Sequence, residues 1–305
     1  MKACGSPTKR LKISSTPLAL MAACALALAG CAQNIPYGDD PPPLPKVIVA
    51  HPEPLSLLAP PVEIIAPPPL PQREFAAPLA QRQVVLGKSV EGRPITMYVF
   101  GDGGDVTFIF AGIHGNEGAG VTLAQALLEQ LSVEGVVLPG RTVAILPRTN
   151  PDGLAANRRA NAHGVDLNRN FPAVNWERRP AGQYFGGLSA GSEPETRAVI
   201  LAVEQLQPAR IISIHSIDRG RQCNNYDGPA AALARVMGAQ NGYPVKASIG
   251  YPTPGSFGAW AGTQRNVPTI TLELPHGSSP QQFLPGNRSA LLAAIEAGET
   301  LHVGR

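Results

Sequence analysis

The sequence predicts one α/β domain over residues 82–305, a single domain with a mixed, largely parallel central sheet flanked by helices. Two observations predict it. Four continuous apolar runs, at residues 106–111, 142–146, 211–214 and 269–274, have the length and composition of strands covered on both faces. Alanine-rich stretches at 119–131, 193–206, 229–241 and 281–301 carry apolar residues at helical spacing. Short apolar strands alternating with helices build parallel sheets, and there the working residues stand where strands end and loops begin.

The elements follow in order. Residues 83–86 and 94–100 flank Glu91-Gly92-Arg93 and predict an opening hairpin. The run at 106–111 leads through Gly112-Ile113-His114-Gly115-Asn116-Glu117 into the first helix, and 142–146 supplies the next strand. The run at 211–214 ends in His215-Ser216, and the run from Thr269 to Leu272 ends in Glu273. His114, His215 and Glu273 therefore all fall at or near the C-terminal ends of predicted strands.

The first 81 residues have a different composition. Lys2, Lys9, Arg10 and Lys12 precede an apolar stretch at 18–28, too short for a comfortable membrane span, which predicts a secretion signal over residues 1–30. Its ending, Leu28-Ala29-Gly30-Cys31, resembles a bacterial lipobox. That implies a lipid on Cys31, and the lack of aspartate at Ala32 and Gln33 points to an outer-membrane lipoprotein facing the periplasm. An ordinary signal peptide cut nearby is the alternative. Residues 34–78 hold 14 prolines in 45 positions. That density favours extended polyproline II, so residues 31–81 predict a semi-rigid tether.

Charge and cysteines bound the function classes. The formal net charge is +3, but removing the four basic residues before Cys31 leaves 25 − 4 = 21 positive against 22 negative. The basic balance belongs to the export signal and gives no argument for nucleic-acid binding. Cys4 and Cys24 leave with the signal and Cys31 takes lipid, so Cys223 has no partner and reads as a small buried residue.

His114, Glu117 and His215 offer two imidazoles and a carboxylate, which suit a zinc ion with a fourth position open. An open position separates a hydrolase from a structural site. His114 and Glu117 are three apart in a turn that opens a helix, so both can point to one side. Glutamate in a first helical turn is also ordinary against the helix dipole. His276, close to Glu273, is the competing donor; His51, His163 and His302 lie in the tether, a loop and the chain end. A carboxylate at Glu273, at the end of an apolar strand, must face a cleft or find a buried partner.

Five segments carry a resemblance to the zinc carboxypeptidases, nearest to the bacterial murein peptide amidase branch. They are His114-Gly115-Asn116-Glu117, Asn150-Pro151-Asp152-Gly153, Gly164-Val165-Asp166-Leu167-Asn168-Arg169-Asn170-Phe171-Pro172, Ser213-Ile214-His215-Ser216 and Thr271-Leu272-Glu273-Leu274-Pro275. The resemblance implies one zinc ion held by His114, Glu117 and His215, with Glu273 as the general base. It implies that Arg159, or its neighbour Arg158, steadies the oxyanion, and that Asn168 and Arg169 grip a terminal carboxylate. Tyr251, 22 residues before Glu273, matches a mobile substrate-binding tyrosine. Gly258 stands where related enzymes place a pocket-floor side chain, which departs from aromatic or basic specificity.

Gln222-Cys223-Asn224-Asn225-Tyr226-Asp227-Gly228-Pro229 resembles a segment of the amidase branch. The implied substrate bond joins γ-D-glutamyl to meso-diaminopimelate in peptidoglycan-derived peptides. The far end of diaminopimelate carries an amine and a carboxylate, so Asp218, Arg219, Arg221 and Asp227 are expected around it, with Asp227 as the substrate-binding choice. Two other readings stand beside this one: a zinc deacylase of N-acyl amino acids, akin to succinylglutamate desuccinylase and aspartoacylase, and a non-catalytic wall-binding lipoprotein. Asn168-Arg169 and the Tyr251 loop favour a peptidase over the first, and a carboxylate at Glu273 beside the ligand set disfavours the second.

Overall fold

The computed structural model describes residues 82–133 and 139–297. The expected signal peptide, Cys31 and proline-rich tether lie outside the described residues, as does the end of the last expected helix.

The expected hairpin is present as β1 (Arg82–Lys88) and β2 (Pro94–Gly101), which pair antiparallel. Next come β3 (Asp105–Ala111), α1 (Gly118–Val133), β4 (Arg141–Leu146), α2 (Pro151–Ala155) and α3 (Pro194–Leu206). Then follow β5 (Arg210–Ile217), β6 (Cys223–Asp227), α4 (Ala231–Asn241), β7 (Val245–Lys246), β8 (Thr269–Pro275) and α5 (Pro280–Glu296). Among the described residues the strands form one eight-stranded sheet in the order β1-β2-β4-β3-β5-β8-β6-β7. Its centre, β4-β3-β5-β8, is parallel, while β1, β2 and β6 pair antiparallel with neighbours on either side of that centre.

The apolar runs become central strands because each has a partner layer on both faces. Side chains alternate across a strand, so Ile109, Ile212, Ile214, Ile270 and Leu272 pack into one core with Leu123, Leu127, Leu233 and Leu291 of α1, α4 and α5. Phe108, Phe110 and Ile211 face the other core, with Val199 and Val203 of α3, Phe171, Phe257 and Trp260. Phe257 meets Phe110 and Phe171 edge-on at 4.7 and 5.2 Å. Strands β6 and β7, and the wide helical turn at Gly258–Gln264 that brings Trp260 into this core, are not predicted by the local sequence pattern.

The same alternation positions polar groups. On β8, Leu272 and Leu274 belong to the first core, so Thr271 and Glu273 face the opposite side. Register places His215 beside Glu273 on parallel β5, and Cys223 beside Glu273 on antiparallel β6. His215, Glu273, Thr271, Asn225 and Asp227 thus share one face and line one pocket. Cys223 is a buried free cysteine, and burial, with Glu273 adding, pushes its thiol up to about 11.

Candidate active site

The loop carrying His114 leaves β3 and is clamped by the segment that opens α2. Gly115 lies so close to Gly153 that a Cβ at 115 would sit 1.9 Å from the Gly153 carbonyl carbon. Asn150 caps α2 by accepting from the Gly153 N–H at 2.8 Å and donates to the Ile113 carbonyl at 3.3 Å. The two glycine-containing motifs are the two sides of one backbone contact.

His114, Glu117 and His215 are buried, and one donor atom from each lies within 4.8 Å of the others. His114 Nδ1 is 2.7 Å from Glu117 Oε1 and 3.3 Å from His215 Nδ1, which in turn is 3.2 Å from Glu117 Oε2. Two nitrogens at about 2.0–2.1 Å from one tetrahedral zinc stand roughly 3.3–3.4 Å apart, so the observed spacing suits a shared ion. His276 lies outside this triad, exposed on the loop after β8.

Asp166 organises the surrounding groups. It accepts from His114 Nε2 at 3.1 Å, which leaves the lone pair of Nδ1 facing the triad, and from Arg159 Nε at 2.9 Å. Its Oδ1 also accepts from the Asn168 N–H at 3.0 Å, capping the short 3-10 turn at Leu167–Arg169. Burial alone would push the His114 imidazolium down, but Glu117 and Asp166 outweigh it and raise its pKa to about 9. Burial would likewise raise the Glu117 and Asp166 carboxyls; His114 outweighs it and holds both well below the usual range. This balance favours a positive charge at the centre, which a divalent ion supplies.

The other expected residues converge. Arg159 faces the cleft with Nη1 3.7 Å from Glu117 Oε1, whereas Arg158 is exposed and lines none of it. Asn168 accepts from the Phe257 N–H at 2.9 Å, which leaves its amide N–H groups for the pocket. Arg169 is buried, and among the described residues no carboxylate lies within ion-pair distance of it. Burial lowers its pKa; Asp166 opposes this and Arg159 adds to it. Tyr184, which the sequence did not single out, lies under both guanidinium groups, with each carbon centre 5.5 Å from its ring. Tyr251 is half-exposed at the mouth.

Glu273 closes the inner wall. It is 6% exposed, and its Oε2 is buried with no hydrogen-bond partner among the described residues. Burial pushes its carboxyl up, with His215 opposing and Glu117 adding to the rise. Asp227, partly buried, lines the same pocket, its carboxyl raised by burial. Of the four residues expected around a diaminopimelate end, Asp227 alone lines this pocket. Asp218 and Arg221 line the adjoining outer cleft, and Arg219 donates instead to the His276 and Gly277 carbonyls. The turn after β5 runs away from the inner wall while β6 returns along it, which local sequence does not reveal.

Residues 73–227 match the zinc carboxypeptidase family, peptidase M14. The chain belongs to that family. It is 35% identical over 185 residues to murein peptide amidase A of Escherichia coli K12, covering 57% of this chain and 72% of that protein. It is 32% identical over 203 residues to murein peptide amidase A of Vibrio campbellii, covering 62% of this chain and 77% of that one. The crystal structure of murein-tripeptide amidase from Escherichia coli O157 aligns with a TM-score of 0.58 at 31% identity, over 74% of this chain and 96% of that chain. The chain is a zinc-dependent, peptide-hydrolysing enzyme, and His114, Glu117 and His215 form a donor set that fits the family's metal. The family match stops before Glu273, which the register of β8 against β5 sets beside His215.

Proposed function

We propose that this enzyme hydrolyses the γ-D-glutamyl–meso-diaminopimelate bond of murein peptides, with Glu273 as general base. The observation that carries the reading is the buried Oε2 of Glu273, which has no hydrogen-bond partner among the described residues and stands on the strand beside His215. An unpaired buried carboxylate is costly, and active sites retain such groups for proton transfer. His114, Glu117 and His215 would hold the zinc ion, which would supply Lewis-acid polarisation and lower the pKa of a bound water to about 7. Glu273 Oε2 takes the proton from the attacking water and returns it to the leaving nitrogen. Arg159, oriented by Asp166, donates to the oxygen on which charge develops.

Asn168 and Arg169 bind the terminal carboxylate of the leaving residue. The buried Arg169 guanidinium, without a carboxylate partner among the described residues, supports this role. Tyr251 donates a hydrogen bond from the mouth, and Asp227 receives the distal ammonium of diaminopimelate. The names of the murein amidase relatives supply the substrate class. The Leu28-Ala29-Gly30-Cys31 segment supports a lipid anchor at Cys31 in the outer membrane, with residues 31–81 as tether and 82–305 as the catalytic domain.

Mass spectrometry of defined muropeptides incubated with the zinc-loaded protein tests the reading. Release of free diaminopimelate is expected; removal of an N-terminal acyl group instead, or binding without cleavage, would contradict it. Palmitate labelling that persists in Cys31→Ser would contradict the anchor.

A further inference from the structure

The outer cleft carries an excess of positive charge. Arg159, Arg169, Arg179 and Arg221 line it against Glu117 and Asp218, and Glu117 belongs to the metal set. Three of the four guanidinium groups are engaged: Arg159 with Asp166, Arg179 with Glu177, and Arg169 over Tyr184 and into the inner pocket. Arg221 differs. Its Nη2 donates to the Ile249 carbonyl at 3.3 Å, and among the described residues no carboxylate lies within ion-pair distance, Asp218 on the same turn included.

That turn is held in place. The Arg221 N–H donates to the Asp218 carbonyl at 3.0 Å, and the Gly220 N–H to Gln222 Oε1 at 2.8 Å, with Gly220 at φ 84°. Arg219 fastens it to the loop after β8 through the His276 carbonyl at 3.0 Å and the Gly277 carbonyl. A hydrogen-bonded turn, with Arg221 six residues beyond His215, thus presents to the cleft a guanidinium held only by one backbone carbonyl and without a carboxylate partner among the described residues.

We propose that Arg221 forms an anion subsite for a free carboxylate on the acyl side of the scissile bond. The proposal rests on the bond assigned above. The inner pocket takes the amine side, and the outer cleft adjoins it through Glu117, Arg159 and Tyr251, so the acyl part extends outward. A glutamyl residue linked through its γ-carboxyl keeps its α-carboxylate free, and a guanidinium fork matches that group.

The test compares hydrolysis of an N-acyl-γ-D-glutamyl-meso-diaminopimelate peptide with its α-carboxamide analogue. Wild type is expected to prefer the carboxylate on the order of tenfold in kcat/KM, and this preference shrinks at high salt because the subsite is open to solvent. Arg221→Gln is expected to bring the two substrates within about twofold of each other, at unchanged Tm. Equal cleavage of both by wild type, or a preference that survives in Arg221→Gln, overturns the subsite and leaves the bond assignment standing. Cleavage of neither substrate overturns the bond assignment, and the subsite falls with it.

Discussion

Asp227 occupies the space that a side chain on Gly258 would require: a Cβ there would lie 2.2 Å from Asp227 Oδ2. Glycine at 258 is therefore the complement of a carboxylate arriving from β6, and the pocket floor is acidic although its own position is blank. Asp227→Ala is expected to abolish a preference, on the order of tenfold or more, for diaminopimelate peptides over 2-aminopimelate peptides, which lack the distal amine. Gly258→Ala is expected to have the same effect by displacing the carboxylate. A full preference in both variants, read as kcat/KM ratios, would remove Asp227 from recognition.

Asp166 joins His114 to Arg159. Asp166→Asn keeps the shape and removes the charge, so His114 and Arg159 both lose their orienting partner. Zinc affinity is expected to fall by about 10–100-fold, as for other carboxylates behind a ligating histidine. Competition with a fluorescent chelator measures it, and unchanged affinity would contradict the role.

Removing zinc leaves His114 with a pKa raised to about 9, so the metal-free site carries a proton at neutral pH. Rebinding must displace that proton, and apparent zinc affinity rises with pH up to about 9 and then levels. Chelation is also expected to lower Tm, because the ion binds only the folded site. A pH-independent affinity between 6 and 9 would contradict the protonation assigned here.

Asp152 ties the opening hairpin to α2. Burial would raise its carboxyl, but hydrogen bonds from the Glu91 N–H at 2.9 Å, Ser89 Oγ at 2.7 Å and Arg93 Nη1 at 2.6 Å outweigh it and lower its pKa. A depressed carboxyl contributes stability above its unfolded value of about 3.9, and that contribution disappears as pH falls through the folded value. Asp152→Asn is expected to lose a few degrees of Tm at pH 7, with the gap to wild type closing below about pH 4. Parallel melting curves across that range would refute the assignment.

The strands bearing the site were legible because each couples a local apolar run to a terminal polar residue, as Ile211 to Ile214 do for His215 and Thr269 to Leu272 do for Glu273. The insertion of β8 between β5 and β6 was not legible, since strand order is set by packing that local hydrophobicity does not encode. The loop between Arg158 and Gly187 has no periodicity, so Tyr184 went unseen and Asp166 read as one residue of a motif. Asp166 carried a signal, a carboxylate two residues before Asn168 in a capping position. The charges of Arg221 and Asp227 both suit the two-signed end of diaminopimelate, yet the turn after β5 and the return along β6 place them in different parts of the cleft.

The role of Glu273 as general base beside the zinc site is tested by zinc content and hydrolysis of the γ-D-glutamyl–meso-diaminopimelate peptide, measured in parallel for wild type and Glu273→Gln. The amide matches the carboxylate in size but cannot take a proton. Glu273→Gln is expected to keep full zinc occupancy with turnover reduced by about 10²–10⁴-fold, the usual contribution of a positioned general base. A Glu273→Gln enzyme with wild-type zinc and wild-type turnover would contradict it.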